Sequence, residues 1–208
     1  MLDEQSVKDI LVNKFAFSKS DLLTLEKFVD KLLKFNQKYN LISKSTEKTV
    51  WERHILDSAQ IIDFIEFKNG TSLSDFGTGA GFPGLIIALY NKKLSFHVKL
   101  YEKSSVKCSF LKECLQLLDI KAEIKLGNAF DNEIDSEYLV FRAFKKLPEL
   151  LKVSRVNRKK PHKMIILKGK NAQEEINKAL KTEKFDYKLF NSITDVESKI
   201  IVSNVIKK

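Results

Sequence analysis

Residues 75–84 read Asp75-Phe76-Gly77-Thr78-Gly79-Ala80-Gly81-Phe82-Pro83-Gly84, between a short apolar stretch and a run that is almost wholly apolar. The pattern predicts a strand over 71–76, a sharp glycine turn, and a helix over 83–90. Glycines there let the backbone turn sharply and approach a ligand closely, and Pro83 suits a first helical turn, where its missing N–H is no loss. Glu102 ends the next predicted strand, where an acidic side chain accepts hydrogen bonds from ribose hydroxyls. Strand, glycine turn, helix and acid together point to an α/β, Rossmann-like sheet holding a nucleotide-bearing ligand, with Gly77, Gly79 and Gly81 as candidate contacts. Asp75 has two readings, an acidic anchor for an amino group of the ligand or a brace bonded to the loop's own N–H groups.

Outward from the loop, strands are predicted over 96–101, 122–127, 138–141 and 162–167, alternating with helices as in a parallel sheet with crossovers. One such helix carries Val106, Phe110, Cys114, Leu117 and Leu118 on one expected face. After a further helix over 171–180, strands over 185–192 and 199–206 are joined by a short polar link that permits a hairpin and no helical crossover. The expected sheet is therefore mostly parallel with a terminal antiparallel hairpin. Towards the amino end, Leu22, Leu25, Val29, Leu32 and Leu33 recur at helical spacing within 18–39, with Ser18 and Asp21 as a start signal. A second helix is expected over 48–67. The chain thus divides into an N-terminal helical extension, 1–68, and a Rossmann-like domain, 69–208.

With 208 residues and 43% hydrophobic content the chain can bury a sizeable core. Thirty-seven basic against 27 acidic residues leave a formal charge of +10, which biases the surface toward polyanions such as nucleic acid. Cys108 and Cys114 form neither a disulfide framework nor a zinc knuckle, and no metal-ligand cluster is visible. Asp3, Glu4, Lys8 and Asp9 exclude the apolar core of a signal peptide over 1–10, and no apolar run approaches the ~20 residues that span a bilayer. A cytoplasmic protein without a membrane segment is expected.

Five blocks make the chain similar to a known family: Lys34-Phe35-Asn36-Gln37-Lys38-Tyr39-Asn40-Leu41, Arg53-His54-Ile55-Leu56-Asp57-Ser58, the 75–84 loop, Arg142-Ala143-Phe144 and Leu167-Lys168-Gly169. On these residues it resembles the bacterial RsmG (GidB) family. That resemblance implies an S-adenosyl-L-methionine-dependent methyltransferase, on the sheet typical of such enzymes, acting on N7 of a guanine in 16S ribosomal RNA near the decoding site. It implies a small-subunit particle as the partner and a monomeric enzyme. It also carries cofactor contacts onto Gly77, Phe82, Ala129, Phe130 and Arg142. Many members have Gly-Arg-Ala-Glu where this chain has Gly127-Asn128-Ala129-Phe130, which removes a charged contact and leaves a ring on which adenine could stack.

Guanine N7 bears a lone pair and no proton, so its displacement at a sulfonium methyl needs alignment and no general base. No obligatory catalytic side chain is expected, and Arg142, His54, Arg53 and Lys168 are positioning candidates. Arg142, at the carboxyl edge of the sheet, has the competing role of pairing with Asp131 or Asp135. His54, close to Arg53 and Asp57, reads as a hydrogen-bonded structural residue or as part of an RNA-facing wall, to which Asn36, Lys38 and Asn40 could belong. Asn40 could equally end the first helix. Lys145, Lys146, Arg155, Arg158, Lys159, Lys160, Lys163, Lys168 and Lys170 suit phosphate contacts or a solvated surface. The strand end at Arg142 lacks the Asn/Asp-Pro-Pro-aromatic pattern of exocyclic-amine methylation and a cysteine for attack on a pyrimidine. Two other functions remain open, a methyltransferase for a small molecule or protein and an inactive RNA-binding protein on the same fold.

Overall fold

The structure, a computed structural model, describes residues 2–92, 95–131, 133–156 and 158–205. Residue 1 of the charged N-terminal segment and residue 206 of the last expected strand lie outside these.

Helix α1 (Glu4–Asn13), which the sequence reading did not single out, starts at Asp3, whose side chain accepts from the Ser6 N–H. Helix α2 (Lys19–Tyr39) starts at a capping box formed by Ser18 and Asp21 and ends at Asn40 in the left-handed conformation. The helix expected over 48–67 is broken. It runs as a 3-10 stretch (Lys44–Thr49), a π-helical stretch (Trp51–Leu56), a short α3 (Asp57–Ala59) and a 3-10 turn (Gln60–Phe64). Apolar periodicity reports which face is buried, not the hydrogen-bond register, so these changes of winding left no mark in the pattern.

The remaining chain alternates β1 (Ser72–Phe76), α4 (Gly84–Tyr90), β2 (His97–Glu102), α5 (Ser105–Leu118), β3 (Glu123–Leu126), β4 (Tyr138–Arg142), α6 (Leu147–Val156), β5 (His162–Lys168), α7 (Ala172–Leu180), β6 (Lys188–Asn191) and β7 (Lys199–Val205). They form one seven-stranded sheet in the order β3-β2-β1-β4-β5-β7-β6. The first five strands run parallel and β7 is antiparallel to both its neighbours. The expected hairpin is present, and its second strand is the one docked on β5. Order reverses between β1 and β4, which opens a crevice at their carboxyl ends, the place where open parallel sheets bind ligands.

Successive residues along a strand face opposite sides, and the core divides accordingly. Leu73, Val98, Leu100, Val140 and Ile165 join α2, α4 and α5 on one face. Phe76, Leu139, Phe141, Met164, Ile166 and Ile201 join α6 and α7 on the other. On α5 the buried set is Cys108, Phe110, Leu111, Cys114 and Leu118. Val106, expected inward, is 42% exposed because it sits in the first turn, beyond the sheet's cover. Helix α2 packs on α5 through Phe28 and Phe35 against Phe110, with ring centroids 6.4 and 5.1 Å apart. The amino-terminal helices therefore share one hydrophobic core with the sheet. Among the described residues no helix is long and apolar enough to cross a membrane.

Candidate active site

Strand β1 delivers the chain into the glycine loop, which β2 holds: the N–H groups of Gly77 and Thr78 both donate to the Tyr101 carbonyl at 3.0 Å. Asp75, almost fully buried, accepts through Oδ2 from Thr78 Oγ1 at 2.6 Å and from the Gly84 N–H at 2.8 Å. It thus braces the loop across its full width. Its other oxygen, Oδ1, is buried with no hydrogen-bond partner among the described residues. Burial pushes this carboxyl up to about 6, against the pull of those hydrogen bonds and of Arg142. Glu102 accepts from the Gly79 N–H at 3.1 Å through Oε2 and from the Ser104 N–H at 2.9 Å through Oε1. Each of its oxygens keeps acceptor capacity for a further donor.

The three loop glycines have different jobs. A Cβ on Gly77 would meet the Phe144 ring at 2.3 Å, and one on Gly81 would meet Leu85 at 2.2 Å, so both glycines exist for packing. Gly79, at φ +59°, has nothing closer than the Gly77 carbonyl at 3.9 Å and faces open space. Open space at Gly79, an orphaned buried acceptor on Asp75 and spare acceptor capacity on Glu102 fit a ligand that carries an amino group and a ribose. Beside them the turn after β3 holds Ala129 buried, with the Phe130 ring packed edge-on against Phe144 at 5.4 Å. Asn128 organises that turn: its side chain donates to Asp131 at 2.9 Å and accepts from the Phe130 N–H. Asn128 therefore makes local turn contacts.

Arg142 ends β4. Its Nε donates to Asp57 Oδ2 at 2.8 Å, and its Nη2 lies 2.6 Å from the Arg53 carbonyl and 3.0 Å from His54 Nδ1. The partner expected among Asp131 and Asp135 is thus replaced by Asp57, because Asp135 is held by Lys99 and Asp131 by Asn128. Arginine can only donate, so His54 Nδ1 is the acceptor and its Nε2–H points to Thr46 Oγ1, 2.8 Å away. The ring lies over Phe82, with centroids 5.1 Å apart at 27°. Burial, then the charges of Arg142 and Arg53, push His54 down to about 3, so it is neutral at physiological pH. Both Arg53 and His54 sit on the π-helical stretch, the kind of helix irregularity that is frequent at functional sites.

Asp57 binds further elements. Its Oδ1 accepts from Gln60 at 2.7 Å and from Thr194 Oγ1 at 3.0 Å, while Arg53 pairs with Asp195 at 3.0 Å and Gln60 accepts from the Ile193 N–H. The β6–β7 loop is thereby tied to the segment 53–60. Between them, at the carboxyl ends of β4 and β5, lies a cavity of about 390 Å³ lined by Arg53, Asp57, Arg142, Lys145, Lys168 and Glu175 among others. Lys168 pairs with Glu175 Oε2 at 2.8 Å and donates to the Lys145 carbonyl at 2.6 Å. Ala143, in the middle of Arg142-Ala143-Phe144, has φ +47°, a left-handed conformation that costs a non-glycine residue roughly 1–2 kcal/mol. That turn aims Arg142 and Phe144 to either side of the crevice.

The structure sorts the sequence-derived candidates into two groups. Asp75, Gly77, Gly79, Gly81, Phe82, Glu102, Ala129 and Phe130 surround the glycine loop, whereas Arg53, Arg142 and Lys168 line the cavity. Phe82 and His54 are buried between the groups. Asn36 is buried, bonded to the Ile42 N–H and to Glu47, and Asn40 ends α2, so these two make no exposed wall. The basic run divides as well: Lys159 and Lys160 pair with Glu133 and Glu137 and Lys163 lies over Tyr138, all at the amino edge of the sheet, while Arg155 pairs with Glu183. Lys145, Lys146 and Lys168 remain at the cavity. Asp57, Gln60, Thr194 and Glu175 were not expected. Asp57 lay inside a quoted block, but nothing local signals a partner 85 residues away. Among the described residues no group of three or more His, Cys, Asp and Glu side chains could hold a metal ion.

Comparison with known proteins agrees with this geometry. The family described as GidB, rRNA small subunit methyltransferase G, matches residues 21–202. A protein of Pelagibacter ubique named ribosomal RNA small subunit methyltransferase G is 38% identical over 192 residues, covering 90% of both chains. One of the same name from Orientia tsutsugamushi is 34% identical over 197 residues, covering 95% of this chain and 97% of its own. Among solved structures, a SAM-dependent methyltransferase from Aquifex aeolicus superposes with a TM-score of 0.57 at 13% identity, covering 78% of this chain and 96% of that one. A tRNA uracil-C5 methyltransferase of Pyrococcus abyssi, solved with S-adenosyl-L-homocysteine, gives 0.55 at 11% identity, covering 76% and 38%. At these identities the structural likeness is one of fold.

Proposed function

The chain belongs to the rRNA small subunit methyltransferase G (GidB) family, and from that premise we propose that it methylates N7 of a guanine in 16S ribosomal RNA near the decoding site, using S-adenosyl-L-methionine. Its substrate is the RNA within a small-subunit particle, and it acts as a monomer in the cytoplasm. Residues 69–208 form the catalytic domain and residues 1–68 an extension that closes it. The observation that carries the base-free chemistry is the state of His54: buried, neutral, and engaged at both ring nitrogens, beside a cationic cavity that opens next to the glycine loop.

Bound at the loop, S-adenosyl-L-methionine supplies an electrophilic methyl on a sulfonium. Glu102 would accept from its ribose and Asp75 Oδ1 would offer the buried acceptor for an amino group, with Gly79 leaving room for both and Gly77, Gly81, Phe82, Ala129 and Phe130 shaping the surround. Arg142, clamped by Asp57, the Arg53 carbonyl and His54, fixes the wall between ligand and base. Arg53, Lys145 and Lys146 would meet phosphate oxygens at the cavity mouth. Because N7 loses no proton, these residues contribute alignment and exclusion of water.

The test uses the purified protein with small-subunit particles from cells that lack it. Nucleoside mass spectrometry should find 7-methylguanosine in the RNA after reaction, with naked transcripts poor substrates. Methylation at an exocyclic amine, or efficient turnover of short unstructured RNA, would overturn the reading.

A further inference from the structure

The cavity beside Arg142 contains two carboxylates, and they differ in what they have left to offer. Asp57 is spent: Oδ1 accepts from Gln60 and Thr194 and Oδ2 from Arg142. Glu175, on the first turn of α7, uses Oε2 alone, accepting from the Leu147 N–H at 2.8 Å and pairing with Lys168 Nζ at 2.8 Å. Its Oε1 has no hydrogen-bond partner among the described residues. We propose that Glu175 reads the Watson–Crick edge of the target guanine, with the Lys168 ammonium beside it answering the base's O6. This assignment rests on the guanine-N7 reading above and names the residue that makes the cavity selective for that base.

The chemistry of the edge is the argument. Guanine presents two donors in a row, N2–H and N1–H, followed by the O6 acceptor. An acceptor-only carboxylate next to a donor-only ammonium is the complementary order. Adenine presents an N1 lone pair where guanine has a donor, so it would face the carboxylate with no proton between them and leave buried polar groups unpaired. Holding guanine by this edge leaves N7, on the adjoining Hoogsteen edge beside O6, without a hydrogen bond and free for the methyl. The pair is also pre-organised. Glu175 is anchored by the first backbone N–H of α6, and Lys168, only 13% exposed, is fixed at the end of β5 by the Lys145 carbonyl. A purely structural Glu175–Lys168 pair would have the same contacts but would not distinguish one base from another.

The experiment measures kcat/KM on small-subunit particles reconstituted with guanosine, inosine or 7-deazaguanosine at the target position. Inosine keeps O6, N1–H and N7 and lacks only the N2 amino group. Wild type should prefer guanosine over inosine by about 10-fold, the size expected for one hydrogen bond to a base edge. Glu175→Gln, which keeps an oxygen for the Leu147 N–H, should lose about 10-fold or more on guanosine and discriminate between the two bases by less than about 3-fold. Its melting temperature and S-adenosylmethionine affinity should match wild type. Equal wild-type rates on guanosine and inosine would overturn the assignment whatever the variant does, as would undiminished discrimination by Glu175→Gln. Absence of 7-methylguanosine from guanosine particles, or turnover of the 7-deaza substrate, would instead overturn the N7 reading, and this assignment with it.

Discussion

Ten consecutive residues, 75–84, make the glycine loop, whereas the cavity beside it is walled by side chains from four separated segments, 53–60, 142–146, 167–175 and 192–200. The loop's polar groups are carboxylates that brace backbone N–H groups, and the cavity's are cations held by carboxylates and carbonyls. The loop is therefore defined by local chain geometry, and a change in it acts through one position. The cavity is a set of long-range contacts, and a change there spreads to several elements at once.

The contrast is broken most severely at the loop. Gly79→Leu should abolish S-adenosylmethionine binding in calorimetry, by more than about 100-fold, while the melting temperature falls only as much as a left-handed non-glycine residue requires. Gly81→Ala should do the reverse at first, lowering the melting temperature sharply through the clash with Leu85. If Gly79→Leu unfolds the chain instead, Gly79 does not face ligand space. Next in size is Arg142→Ala, which should cost about 100-fold in kcat/KM by releasing Asp57, His54 and the Arg53 carbonyl together. Arg142→Lys should recover little of it, since a single ammonium cannot hold all three partners of the fork. Full activity in the lysine variant would reduce Arg142 to a charge.

His54 offers a smaller and pH-dependent break. Its folded value of about 3 lies below the 6.5 of the unfolded chain, so the stability it contributes is present above pH 6.5 and is lost as pH falls toward 3. Between pH 7.5 and pH 5 that loss is about 2 kcal/mol, and His54→Gln should be spared it in urea titrations at the two pH values. Asp75 has the opposite sign, because its folded value of about 6 lies above its unfolded 3.8: its contribution is full below 3.8 and lost as pH rises through 6. Asp75→Asn should therefore exaggerate the acid sensitivity. Turnover with saturating substrates should stay nearly flat from about pH 6 to 8.5, where a histidine base would titrate. A single ionisation near neutrality that disappears in His54→Gln would restore His54 as a base. The smallest effects belong to the cavity mouth: Lys145→Ala and Lys146→Ala should each weaken RNA binding a few-fold and lower the salt slope by about 1 for each phosphate no longer neutralised.

What could be read in advance follows the same division. The parallel sheet, its terminal hairpin and the loop at 75–84 were legible because each rests on neighbours in the chain: alternation, glycine, proline, a short link. Glu102 was legible because strand spacing fixes where an acid emerges. Arg142 was visible as an end-of-strand residue, yet its partner Asp57 was not, since pairing across the fold leaves no periodic trace. Glu175 lies inside the helix expected over 171–180 but carried no signal of its own, and only the packing of α6 against α7 turns it to the cavity. The break of the 48–67 helix was equally silent, because its apolar residues are buried in every winding.

The hairpin's docking has a consequence in time. Synthesis runs from the amino end, so the glycine loop and its brace leave the ribosome well before Thr194, Asp195 and Lys199, which complete the neighbouring wall. Strand β7, the last strand of the sheet to be made, must then slot between β5 and β6. Until it does, segment 53–60 has no loop to hold, and the nascent chain carries a ligand loop with no finished chamber beside it.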